Sequence, residues 1–116
     1  DNPIFTSKNI PIYFYLPKEL KNRLEIDTSL AGSQKDIFPT LYNLTLKDTK
    51  YLSIGNNLFD KIHPHFGFNG SMIVNNGSEV RKLNNLKETS EDELVNYYKA
   101  SLAVTEYLIK NYKNEE

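Results

Sequence analysis

The residue pattern predicts an α/β chain, α+β when it stands alone, running strand, helix, loop, antiparallel hairpin and long C-terminal helix. Three observations carry this: a nearly continuous β-branched and aromatic run at Ile10–Leu16, an Asn-Gly turn between two apolar segments near residue 76, and a capped apolar stripe after Ser90. At 116 residues, 39% hydrophobic and 25% charged, the chain suits one soluble globular domain (1–116) with a modest core that needs outside support.

Ile10-Pro11-Ile12-Tyr13-Phe14-Tyr15-Leu16, closed by Pro17, reads as a strand buried on both faces. Lys18 to Glu25 reads as a helical turn, with Leu20 and Leu24 four apart on one face. After Gly32-Ser33, a helix is expected from about Gln34 to Leu46, with Ile37, Leu41 and Leu44 sharing a face. Pro39 has no amide proton and belongs in a first turn, so the cap is Ser33 or Asp36.

Lys47 to Pro64 reads as an ordered surface loop, turning at Gly55-Asn56-Asn57 and anchored by Leu52, Ile54, Leu58, Phe59 and Ile62. Phe66–Val74 and Ser78–Leu83 flank Asn75-Asn76-Gly77, where Asn-Gly supplies the positive φ of a tight hairpin. Ser90-Glu91-Asp92-Glu93 has the form of a capping box. The helix that it starts is expected to reach about Tyr112, with Leu94, Tyr97, Tyr98, Leu102, Val104, Leu108 and Ile109 along its apolar stripe.

Composition excludes several functions. Fourteen basic against fifteen acidic residues leave no basic footprint for a phosphate backbone, so nucleic acid is not an expected partner. With no cysteine there are no disulfides, thiolate chemistry or Cys-bound metals. No apolar run approaches the ~20 residues that span a bilayer. Asp1-Asn2-Pro3 resembles no signal peptide, and the absence of an initial Met suggests a fragment or a processed product.

Candidate chemistry is sparse. His63 and His65, two apart, suit one divalent ion if Asp60 joins them, but a surface-loop role is the plainer reading. No Gly-x-Ser-x-Gly elbow accompanies the two histidines, and Gly32-Ser33 is too glycine-poor for a phosphate cradle. Glu91, Asp92 and Glu93 are read as capping residues. Sequons at Asn43, Asn69 and Asn76 are what an Asn-rich chain produces by chance. The aromatic residues fall on periodic positions that read as core, which disfavours a sugar-stacking platform.

Three segments in order carry a family resemblance: Ile10–Pro17, then Ala31-Gly32-Ser33-Gln34-Lys35-Asp36-Ile37-Phe38-Pro39-Thr40-Leu41-Tyr42-Asn43-Leu44, then Gly55-Asn56-Asn57-Leu58-Phe59. A strand ending in Pro, a Ser-x-x-Asp-x-x-Pro-Thr helix entry and a Gly-x-x-Leu-Phe turn resemble the sulfatase and alkaline-phosphatase superfamily. More narrowly, they resemble the C-terminal end of lipoteichoic acid synthase-like phosphoglycerol or phosphoethanolamine transferases. The likeness spans Ile10 to Phe59, and the hairpin and last helix agree in outline with that family's small C-terminal subdomain.

The resemblance implies a parent enzyme acting on phosphate or sulfate esters, with a Thr, Ser or formylglycine nucleophile and a divalent metal such as Mn, Zn, Mg or Ca. Nucleophile and metal ligands belong to earlier family segments, including an Asp-His-Gly-like motif that this chain lacks. No catalytic or cofactor residue is therefore carried over. Ser33, Asp36, Pro39, Thr40 and Gly55 are structural motif residues, and Thr40 is expected to bond back into its own helix. The implied setting is an extracytoplasmic, periplasmic or outer-facing, catalytic domain of a bacterial inner-membrane protein, with the membrane contacted only through the parent. The implied partner is the N-terminal remainder of that domain. An inner strand exposed in isolation seeks another strand, so strand-mediated homodimerisation is also expected. The competing reading is a self-contained glycan- or protein-binding module.

Overall fold

The computed structural model describes residues 10–46, 48–76, 79–83 and 92–111. Their order is α1 (Lys18–Lys21), a 3₁₀ turn (Gln34–Asp36), α2 (Ile37–Thr45), β1 (Phe66–Phe68), β2 (Met72–Asn75), β3 (Val80–Lys82) and α3 (Glu93–Asn111). The architecture is mixed α/β, with a three-stranded antiparallel sheet in the order β1-β2-β3.

The predicted strand at Ile10–Leu16 pairs with nothing among the described residues. Phe14 and Leu16 are half-buried, with the Phe14 ring 5.6 Å from Phe59, while Ile10, Tyr13 and Tyr15 are largely exposed. An extended run becomes a strand only beside another, and none of the three described strands pairs with it. The helical turn expected at Lys18–Glu25 is confined to Lys18–Lys21.

The helix expected from Gln34 to Leu46 forms in two stages. Ser33 precedes the 3₁₀ turn and Asp36 precedes α2, so both candidate caps stand at a start. Pro39 is the third residue of α2, where its missing amide proton costs no hydrogen bond. The helix closes as the Leu46 amide bonds the Tyr42 carbonyl at 2.7 Å, and Asp48 turns the chain with a φ of 76°.

β2 and β3 pair antiparallel as expected, with Ile73 opposite Arg81 and Val74 opposite Val80; Gly77 and Ser78 of the expected turn lie outside the described residues. Phe66–Val74 is not a single strand, however. It folds back at Asn69-Gly70-Ser71, so that Phe68 pairs with Ile73 and Phe66 with Asn75. The Asn69 carboxamide oxygen accepts the Ser71 amide at 2.9 Å and the Met72 amide at 3.1 Å, the side-chain mimic of a turn that asparagine favours.

Helix α3 packs on this sheet. Ile73, Leu83 and Leu94 are its buried centre, ringed by Phe66, Phe68, Tyr97 and Tyr98. Phe66 and Phe68 lie 4.3 and 6.4 Å from the Tyr97 ring. The predicted apolar stripe is only half used: Leu102, Val104 and Ile109 are exposed. A 19-residue helix is about 28 Å long, whereas a three-residue strand spans about 10 Å, so the sheet covers only its first turns. Asp92, with its carboxylate 3.0 Å from the Leu94 amide, caps the helix; Ser90 and Glu91 of the expected capping box lie outside the described residues.

Candidate functional site

The one place where motif residues converge is a buried joint around Asp36. The chain enters it through Ser33, whose amide donates to the Asp36 carboxylate at 2.9 Å across the 3₁₀ turn. The Ser33 hydroxyl stands at the capping position but is buried without a partner among the described residues; the bond across the turn runs from the Ser33 amide to Asp36, whose own side chain makes no cap bond to α2. Asp36 is 1% exposed, and its other oxygen accepts the Asn56 amide at 2.8 Å. The Lys35 ammonium closes on both carboxylate oxygens, at 2.6 and 2.8 Å.

Thr40 is fully buried one helical turn on. Its hydroxyl donates to the Asp36 carbonyl at 2.6 Å and accepts the Leu58 amide at 2.9 Å. The back-bond into its own helix is the expected one; the acceptance from Leu58 adds a tie to the loop. Gly55 lies between these ties, and a Cβ there would stand 1.9 Å from the Lys35 carbonyl oxygen. Glycine is required by close approach of two backbones, not by a positive φ. Ser33, Asp36, Pro39, Thr40 and Gly55 thus form a joint that clamps the loop at residues 53–60 onto the helix entry.

Sequence reasoning gave three members of this joint no place in it. Lys35 is 6% exposed and lies 5.6 Å from the Phe68 ring centre and 5.8 Å from that of Tyr97, which brings sheet and helix α3 over the ion pair. Burial pushes the Lys35 amine below the ordinary lysine range, against the opposing pull of Asp36. Burial also raises the Tyr97 phenol, with the Asp36 charge adding to it. Gly32 and Gly67 are the other two: a Cβ on Gly67 would lie 2.4 Å from the Gly32 carbonyl oxygen. A glycine between two aromatics on a strand is a sign of such close approach.

This arrangement holds shape. The Asp36 carboxylate is saturated by three donors and the Thr40 hydroxyl is used in both directions, so neither is free as base or nucleophile. The weak metal candidates are similarly engaged. Asp60 pairs its carboxylate with His63 and its carbonyl with Nε2 of His65, which is 2% exposed. Hydrogen bonds from the Ile62 amide and then His63 hold the Asp60 carboxyl below its usual range. Among the described residues no group of three or more His, Asp or Glu side chains converges as metal ligands do.

The sequon asparagines have structural uses. Asn43 donates to the Pro39 carbonyl and the Tyr51 hydroxyl, Asn69 makes its turn, and Asn76 accepts the Ala31 amide at 2.7 Å. The aromatic residues are not all core. Tyr13, Tyr15, Phe38, Tyr51 and Tyr107 are exposed among the described residues. Phe38, Tyr42 and Tyr51 cluster, but their planes are mutually inclined by 43° to 78° and form no flat platform. No described helix is long and apolar enough to cross a membrane.

No protein-family model, curated protein or solved structure matches this chain.

Proposed function

We propose that the chain is a C-terminal scaffold portion of an alkaline-phosphatase-like fold, belonging to a metal-dependent sulfatase-like hydrolase or a phosphoglycerol or phosphoethanolamine transferase. The parent acts on phosphate or sulfate esters outside the cytoplasm, and this portion is inactive alone. Nucleophile and divalent cation come from the parent's other segments. Residues 1–116 supply support and one wall of the cleft.

The observation that carries this reading is the meeting of two motif segments. The Ser33-x-x-Asp36-x-x-Pro39-Thr40 entry and the Gly55-x-x-Leu58-Phe59 turn resemble the family separately, and in the fold they are the two halves of one buried joint. Their residue choices have a shared physical reason: a carboxylate to take the loop amide, a hydroxyl to take the next, and a glycine where backbones touch. Further support comes from the apolar surface left uncovered. Among the described residues four hydrophobic side chains are buried while fifteen large ones are exposed, which suits a piece that lies against more protein.

The test is the coding sequence ahead of Asp1. An Asp-His-Gly-like metal motif and a Thr or Ser nucleophile in the same reading frame are expected. A start codon immediately before Asp1, with no such motif in frame, would overturn the proposal.

A further inference from the structure

The segment Pro11-Ile12-Tyr13-Phe14-Tyr15-Leu16-Pro17 is a near-palindrome centred on Phe14. Its main chain from Ile10 to Leu16 makes no hydrogen bond among the described residues, and it carries no charge. From these two facts we infer that it is a self-complementary docking strand, and that its occupant is the same segment of a second copy of this chain, antiparallel about a two-fold axis at Phe14.

The register follows from the prolines. In an antiparallel ladder, opposed residues alternate between pairs that exchange both hydrogen bonds and pairs that exchange none. Placing Phe14 opposite Phe14 in a bonded pair puts Ile12 and Leu16 in bonded pairs too. Pro11 then faces Pro17 in unbonded pairs, where a missing amide proton costs nothing. The Pro17 carbonyl, which points away from the partner in this register, is already taken by the Lys21 amide at 2.9 Å.

The opposite edge of the strand would need amides from residues 11, 13, 15 and 17, and two of these are proline. That edge is blunted, so association closes at a dimer and does not propagate. Across the axis Tyr13 meets Tyr15, and both are exposed in the single chain, at 89% and 106%. Such aromatic cross-strand pairs stabilise a ladder, while Phe14 stays packed on Phe59. The segment is also the first of those carrying the family resemblance, but the inference rests on its symmetry and its unpaired main chain and not on that resemblance.

Sedimentation velocity of the 116-residue chain from about 1 μM to about 1 mM covers the affinities of interfaces this small. The mass is expected to rise from 13.4 kDa towards twice that value and to stop there. Ile12→Pro removes an amide from two bonded pairs and is expected to hold the chain monomeric with unchanged helical circular dichroism. Register is read by mixing isotopically labelled Tyr13→Cys chain with unlabelled Tyr15→Cys chain; the protein has no cysteine of its own. Facing Cα atoms in an unbonded pair lie about 4.5 Å apart, within disulfide reach, so the mixed disulfide is expected to outnumber either homodisulfide by at least about tenfold. A mass that stays monomeric, association beyond the dimer, or a statistical mixture of disulfides would each overturn the inference.

Discussion

Lys35 and Asp36 are neighbours in the chain, yet both charges are withdrawn from water and face each other beneath Phe68 and Tyr97. Replacing one member of such a pair strands the other, which costs about 3–5 kcal/mol. Asp36→Asn is therefore expected to lose that much in urea unfolding, and Lys35→Met together with Asp36→Asn is expected to recover a large part of it. Two glycines give a matched contrast. Gly55→Ala drives a methyl into the Lys35 carbonyl and is expected to cost about 1–3 kcal/mol or more, whereas a Cβ at Gly70 meets nothing within 4 Å. Gly70→Ala is expected to be neutral or stabilising by up to about 1 kcal/mol, through the unfolded chain. Pro39 and Thr40 were legible in the sequence because first-turn placement and back-bonding are local, whereas Asp36, expected as a cap, instead takes the Ser33 and Asn56 amides. Lys35 was not legible, since its burial depends on aromatic rings contributed from more than thirty residues downstream.

Elements were legible to the extent that their signals are local. The helices at Ile37–Thr45 and Glu93–Asn111 appear where periodicity places them, and β2 and β3 pair on either side of the second Asn-Gly. The first, at Asn69-Gly70, carries the same signal but sits inside an apolar run, where alternation reads as one long strand. What local pattern does not encode is how far a sheet extends beneath a helix. Leu94→Ala is accordingly expected to cost about 2–5 kcal/mol, and Leu102→Ala, on the uncovered half of α3, to stay within about 0.5 kcal/mol. The cap of α3 also gives a pH dependence. The Arg81 guanidinium beside Asp92, with the Val95 and Leu94 amides, holds its carboxyl below the usual range. A carboxyl lowered by folding stabilises the fold above its unfolded pKa, and this contribution is lost as pH falls through the folded value. The stability difference between the natural chain and Asp92→Asn, followed by circular dichroism, is thus expected to shrink as pH falls from about 5 to about 2.

At the scale of the whole molecule, the described residues have a small core, one saturated joint and a wide apolar exterior. The strand expected at Ile10–Leu16 does not form among those residues, because composition marks a run that can extend and not whether a neighbouring strand lies beside it. A joint whose polar side chains are saturated suits the proposal that the chain supports chemistry carried by other segments. The direct measurement is turnover of an aryl phosphodiester and an aryl sulfate by the purified 116 residues with manganese or zinc added. The expected result is no hydrolysis above the metal-only blank; turnover that survives repurification and scales with protein concentration would contradict a scaffold role.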